Sequence, residues 1–145
     1  MEILKYIELI DQAINQNESE IEGLDRAIGD GDHFINLKRG IAAIHSMTDQ
    51  LSTMTVNEQF KMIGMKVLST VGGASGPLFA TFFLEMGKHI TVSKPSLQII
   101  AEAFSMAVDG IKQRGKSDVG QKTMLDVLIP VAAKFQELAS SNMST

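Results

Sequence analysis

Residues 55–77 read TVNEQFKMIGMKVLSTVGGASGP, and this stretch decides the fold class. Its first four residues, Thr55 to Glu58, have the spacing of a capping box, which begins a helix. The glycine-rich run after residue 71 ends that helix, and Pro77 stands where the first turn of another helix tolerates proline. The stretch therefore predicts two helices joined by a tight glycine loop. Apolar residues recur inside the first of these helices at intervals of three and four, namely Phe60, Ile63 and Val67.

The same helical spacing extends outward in both directions, and no segment has the alternation of a strand. Residues 17–33 interrupt the pattern with asparagine, serine and glycine. We expect an all-α single domain over residues 1–145, an antiparallel bundle or barrel of about six helices. Because alternate loops of such a bundle share one end, three glycine-containing loops should meet there: 23–33, 71–76 and 114–120. The predicted helices cover residues 3–14, 37–47, 55–70, 77–86, 97–111 and 123–135.

Composition excludes several classes of protein. The 145 residues are 44% hydrophobic and 21% charged, which is ordinary globular usage. The absence of cysteine excludes disulfides, thiolate metal sites and cysteine nucleophiles. The net charge of −4 argues against nucleic-acid binding. No apolar run reaches the length of a membrane span, and the first residues do not resemble a signal peptide, so a cytoplasmic location is expected.

The most informative loop is residues 24–33, LDRAIGDGDH, which holds three carboxylates within eight residues. Asp25, Asp30 and Asp32 have two readings. One is a solvent-exposed turn, in which aspartate is a common residue. The other is a hard-cation site, because carboxylate oxygens suit Mg²⁺, which shares its ligands with substrate phosphates. His33, directly after them, is either a structural donor or part of that site.

Three further motifs are weaker when each stands alone. Residues 72–76, GGASG, fit either a tight turn or an anion site at a helix N-terminus. Residues 110–117, GIKQRGKS, match the P-loop pattern, but that motif follows a strand and here a helix is predicted before it. Residues 120–126, GQKTMLD, fit a capped helix start.

Taken together, these motifs resemble the nucleotide-binding subunit of bacterial dihydroxyacetone kinases. That family's patterns read like LDxxIGDxDHGxNMxRG, VGGASGPL and RGKxxxGxKTMxD, and the matching segments occur here in the same order. The resemblance covers roughly residues 20–135 of this chain. It implies a barrel of eight antiparallel helices with a nucleotide bound at one end.

The resemblance also implies an activity, cofactors and partners. In that family the subunit holds ADP or ATP with two Mg²⁺ ions, is recharged by a phosphohistidine carrier subunit, and passes the phosphoryl group to dihydroxyacetone on a separate substrate-binding subunit. No nucleic acid and no membrane take part. The matching metal ligands here are Asp25, Asp30 and Asp32. The matching nucleotide-binding residues are His33, Phe34, Ile35, Asn36, Ala74, Ser75, Gly115 and Met124.

This sequence also departs from the family pattern. Phe34 stands where the family has glycine, which we expect to narrow the phosphate site. The family continues into a loop that covers the nucleotide and into two more helices, and nothing like them follows Phe135. The alternatives are a truncated, non-catalytic relative with a regulatory or assembly role, a partner or second copy that fills the gap, or an incomplete sequence. We expect a homodimer or a subunit contact over the apolar positions left uncovered, Ile3, Ile7, Ile10, Val131, Phe135 and Leu138.

Overall fold

The computed structural model describes residues 3–141, which form helices and no strand. The all-helical class is therefore confirmed. No helix within these residues combines the length and the apolar content that a bilayer crossing requires. The helices are α1 (Ile3–Gln16), α2 (Glu18–Ile28), α3 (His33–His45), α4 (Thr48–Ser52), α5 (Val56–Thr70), α6 (Ser75–His89), α7 (Leu97–Gly115) and α8 (Leu125–Ser141).

The expected number of six helices was too low, because α2 and the short α4 were not predicted. The polar and glycine residues of 17–33 predict a break between helices. Helix α2 forms nevertheless, and it places none of its residues in the core. Its apolar residues Ile21, Leu24 and Ile28 do have helical spacing, but they lie among polar residues and glycines that also fit a loop.

The core is built around the hairpin of α5 and α6, on which α7 and α3 pack. The capping box is confirmed, since the Thr55 backbone N–H donates to the Glu58 carboxylate at 2.9 Å. The two helices approach so closely that a methyl group at Gly87 would lie 2.8 Å from the carbonyl oxygen of Asn57. Side chains fully buried in this part include Leu51, Ile63 and Ile90.

Helix α8 packs on α7 through a second apolar cluster and a chain of edge-on phenyl rings. The ring centroids of Phe82 and Phe104 are 5.3 Å apart, and those of Phe104 and Phe135 are 5.9 Å apart. Phe135, expected to lie on an open flank, therefore has an aromatic neighbour.

Helix α1 also differs from the expectation of an uncovered apolar flank. Ile3 and Ile7 are buried in the core rather than uncovered, and only Ile10 of the three is exposed. An ion pair ties the helix to α3, with Lys38 Nζ 2.6 Å from Asp11 Oδ1. Between α1, α3, α5 and α6 lies a cavity of about 170 Å³ whose lining carries no charged side chain.

Helix α7 settles the P-loop question. Residues 110–115 are its last turns, so the pattern at 110–117 is helical and not a phosphate loop. The helix begins as expected, with the Ser96 hydroxyl accepting from the Ile99 N–H at 3.3 Å. Its last residue is Gly115. The next residue, Lys116, has the left-handed backbone conformation that often ends a helix, with φ 49° and ψ 41°.

Candidate functional site

The three aspartates of the acidic loop meet where α2 ends and α3 begins. Asp25 lies in the last turn of α2, Asp32 immediately precedes α3, and Asp30 lies in the short turn between them. One carboxylate oxygen from each lies within 4.8 Å of the others. The turn thus brings the three carboxylates together as a compact group of oxygen donors.

Two glycines give this turn its shape. Gly31 has a φ of 78°, which residues other than glycine rarely adopt. Gly29 has ordinary backbone angles, but a methyl group there would overlap Oδ1 of Asp25 and lie 3.0 Å from the Asp25 carbonyl oxygen. Residue 29 must therefore be glycine for the Asp25 carboxylate to hold this position.

Basic side chains do not balance the charge of this cluster. Asp25 Oδ2 accepts a hydrogen bond from the backbone N–H of His33 at 3.0 Å. Every lysine or arginine ion pair within residues 3–141 goes to another carboxylate, and Arg26, the nearest in sequence, pairs with Glu22. Carboxylates this close repel one another. A hard divalent cation such as Mg²⁺, which prefers oxygen ligands, fits this donor set.

The glycine loop between α5 and α6 is held by a side chain from α3. Asn36 is buried. Its Oδ1 accepts hydrogen bonds from the backbone N–H of Gly72 at 3.3 Å and from Nη1 of Arg39 at 2.9 Å. A methyl group at Gly76 would overlap the carbonyl oxygen of Val71, so the loop must turn tightly into α6. Asn36 thus fixes the loop relative to the start of α3.

The acidic turn and the glycine loop face each other across a cavity of about 360 Å³. Helices α3 and α6 begin at this cavity, at His33 and Ser75. Helix N-termini carry partial positive charge and unpaired N–H groups, which suit phosphate oxygens. One cavity therefore combines oxygen donors for a cation with the N-termini of two helices, of which α3 already donates its His33 N–H to Asp25. Its lining residues are Asp25, Asp30, Asp32, His33, Gly73, Ala74, Ser75, Leu78 and Met124.

The loop before α8 brings Met124 to the cavity. The Asp126 carboxylate accepts the backbone N–H groups of Gly120 and Thr123, and these bonds hold the pKa of Asp126 below its ordinary value. The Thr123 hydroxyl accepts the Leu125 N–H at 3.2 Å, so the expected cap of this helix is confirmed. These contacts fix the turn in which Met124 lies.

Most of the residues expected at the site come together, but not all. Seven of them line the cavity, while Phe34, Ile35, Asn36 and Gly115 do not. Phe34 is buried and is not a lining residue, so its ring does not narrow the cavity as expected, and Ile35 is 54% exposed. Asn36 lies behind the glycine loop, and a methyl group at Gly115 would lie 3.5 Å from Leu78, at the cavity's edge.

Two lining residues, Gly73 and Leu78, were not among the predicted site residues, nor was Asp126, which holds the turn of Met124 without lining the cavity. Leu78 follows Ser75 by three positions, which on a helix is the same face. Thr123 and Asp126 occupy the first and fourth positions of a capping-box pattern, with aspartate in place of glutamate. Both signals were present in the sequence.

Comparison with known proteins gives a consistent picture. The family model described as DAK2 domain matches residues 27–145. The ADP-binding subunit DhaL of PEP-dependent dihydroxyacetone kinase 1 from Listeria innocua is 37% identical over 128 residues, covering 88% of this chain and 65% of that protein. The ADP-binding subunit DhaL of the PEP-dependent dihydroxyacetone kinase from Escherichia coli is 39% identical over 134 residues, covering 90% and 63%.

A third relative, the ADP-binding subunit DhaL of the PTS-dependent dihydroxyacetone kinase from Lactococcus lactis, is 34% identical over 124 residues. The chain spans slightly less than two thirds of the length of these relatives. Most of the chain, including the turn that carries Asp30 and Asp32, lies inside the matched region. On this match the chain belongs to the DAK2 domain family.

Proposed function

We propose that this chain binds ADP or ATP with Mg²⁺ and serves as the nucleotide-holding subunit of a dihydroxyacetone kinase. One observation carries the proposal: three carboxylates without basic partners and the N-termini of two helices line the same cavity. A cation site beside an anion site is what a magnesium nucleotide requires. The names of the relatives, each an ADP-binding subunit, support the same ligand.

The residues divide into three roles in this proposal. Asp25, Asp30 and Asp32 hold the metal, as two Mg²⁺ ions, and bound Mg²⁺ supplies charge neutralisation at the phosphate oxygens. His33 at the start of α3, with Ala74 and Ser75 at the glycine loop, holds the phosphates, and Asn36 positions that loop from behind. On the apolar side of the cavity, Leu78 and Met124, with Gly115 behind them, receive the nucleoside.

The transfer itself requires other subunits in this proposal. Phosphoryl transfer asks the protein mainly for positioning and for charge neutralisation. We assign no nucleophile to this chain, so the acceptor is dihydroxyacetone on a substrate-binding subunit. The PEP- and PTS-dependent relatives support recharging of the bound ADP by a phosphohistidine carrier subunit.

An alternative function is a regulatory or assembly role without transfer. One observation favours it: no lysine or arginine of the described residues lines the cavity. Phosphoryl-transfer sites commonly add such a cation to the metal ions. A protein of this kind would bind the magnesium nucleotide and leave the acceptor unphosphorylated.

A reconstituted kinase assay decides between the two functions. The chain is combined with a substrate-binding subunit, dihydroxyacetone and ATP, and formation of dihydroxyacetone phosphate is followed. Turnover that requires the chain and is lost with Asp30→Ala supports the kinase role. If the wild-type chain binds Mg–ADP but forms no more product than a control reaction without this chain, the regulatory or assembly role is supported.

We also propose that a second copy covers the exposed face of α8. Val127, Val131 and Leu138 are exposed on one side of the helix, and the exposed Lys134, which pairs with Glu137, lies among them. Contiguous exposed apolar patches are uncommon on monomers and mark interfaces. This face replaces the flank first expected, since Ile3 and Ile7 are buried.

A further inference from the structure

Helix α2 carries an exposed apolar stripe. Ile21, Leu24 and Ile28 lie within about 60° of one another around a helix of 100° per residue. Leu24 is 64% exposed and Ile28 is 95% exposed, and no residue of α2 is buried. An amphipathic helix that leaves its apolar side in water is unusual, because burial of that side is what normally stabilises it.

The surroundings of this stripe are acidic. Helix α2 holds four carboxylates, Glu18, Glu20, Glu22 and Asp25, against a single basic residue, Arg26. Arg26 is engaged by Glu22 at 2.8 Å. On the helix surface Glu20 flanks the stripe on one side, and on the other side lies Asp25, whose carboxylate belongs to the proposed metal site. A complementary partner surface is therefore apolar at its centre and basic around it.

The stripe also adjoins the candidate site. Asp25, which belongs to the three-carboxylate cluster, lies on the same helical turns as Leu24 and Ile28. Asp30 follows α2 by two residues and lines the cavity as well. A macromolecule seated on the stripe thus stands beside the cavity.

We propose that α2 is the docking surface for the subunit that carries the phosphoryl acceptor, and that this subunit presents an apolar patch ringed by lysine or arginine. The proposal rests on the proposed kinase function. Transfer requires the acceptor oxygen to reach the phosphate, so the acceptor's carrier must come to the cavity. A second copy is disfavoured here, because two acidic α2 helices would repel.

The test uses the full chain and a purified subunit that binds dihydroxyacetone in a phosphotransferase-dependent kinase. Association is measured by calorimetry in the presence of Mg–ADP, for wild type, Ile28→Lys and Ile28→Glu. Val92→Lys is the matched control, since Val92 is exposed and lies in the loop at the other end of α6. Because residue 28 is in water, these substitutions leave the fold intact, which circular dichroism verifies.

We expect Ile28→Lys to weaken association about tenfold or more, the effect of losing a central apolar contact. Ile28→Glu should weaken it less, because its charge suits a basic partner, and Val92→Lys should leave it unchanged. Raising the salt concentration should weaken wild-type association. Residue 28 lies one helical turn from Asp25, so Mg–ADP binding is measured for every variant and association is compared with each variant saturated by Mg–ADP.

Three results would overturn the proposal: no association of wild type, equal association of Ile28→Lys and Val92→Lys, or a wild-type dimer that Ile28→Lys dissociates. The kinase function fails separately, if wild type does not bind Mg–ADP. In that case association measured without nucleotide still decides whether α2 is a docking surface.

Discussion

At the scale of single residues, Gly29 controls the position of the Asp25 carboxylate. A methyl group there would overlap Oδ1 of Asp25, while the backbone angles themselves suit any residue. We predict that Gly29→Ala displaces the carboxylate and weakens Mg²⁺-dependent ADP binding by about 10–100-fold, the range found when residues that position metal ligands are changed. Calorimetry measures this loss.

The control for this variant is Gly23→Ala, which adds the same methyl group to α2 where nothing lies within 4 Å. It should bind Mg–ADP like wild type. Equal binding by Gly29→Ala and Gly23→Ala would show that the position of Asp25 does not matter for the metal.

At the scale of elements, α2 forms despite an internal glycine. Gly23 is exposed within the helix and has open space around its Cα. Gly23→Ala should therefore raise the free energy of unfolding by about 0.5–1 kcal/mol, since alanine loses less backbone entropy in a helix. Urea denaturation measures the change. A loss of stability would mean that this segment is not helical in solution.

A second element-scale prediction concerns the attachment of α1. A hydrogen bond from Lys38 is the largest cause that holds the pKa of the Asp11 carboxyl below its ordinary value, and His45 Nε2 lies 3.8 Å from Asp11 Oδ2. A lowered pKa in the folded state adds stability above the unfolded pKa, and that stability is lost as the pH falls through the folded pKa.

Asp11→Asn should consequently destabilise the protein by up to about 1 kcal/mol at pH 7, as for a partly exposed ion pair. Below about pH 4 the difference from wild type should shrink. Unfolding by urea at several pH values measures it, with the exposed Asp49→Asn as control. A difference that does not change with pH would contradict the ion-pair account.

At the scale of the whole molecule, the exposed face of α8 predicts self-association. Sedimentation velocity at low micromolar concentration should give a dimer, and Val131→Lys should shift it toward monomer, because a charge in an apolar interface loses hydration. A clean wild-type monomer that binds no hydrophobic dye would contradict this prediction.

The same scale shows how far sequence alone reaches. Six helices and the cap at Thr55 followed from periodicity and capping chemistry, and the meeting of the acidic and glycine loops followed from the alternation of loop ends in an antiparallel bundle. Helix α2 did not, although Ile21, Leu24 and Ile28 have helical spacing, because the asparagine, serine and glycine residues of 17–33 also fit a loop. The family resemblance implied His33 to Asn36 as one nucleotide-binding segment. A helix turns successive side chains to different sides, however, and neither Phe34 nor Asn36 reaches the cavity.

The central claim is that the three aspartates hold the metal through which a nucleotide binds. The most direct test titrates ADP into wild type, Asp30→Ala and Asp49→Ala, each with and without Mg²⁺, while circular dichroism monitors the helices. We predict Mg²⁺-dependent binding by wild type and Asp49→Ala, none by Asp30→Ala, and the same helical signal in all three. Binding of Mg–ADP by Asp30→Ala as tightly as by wild type would contradict the claim.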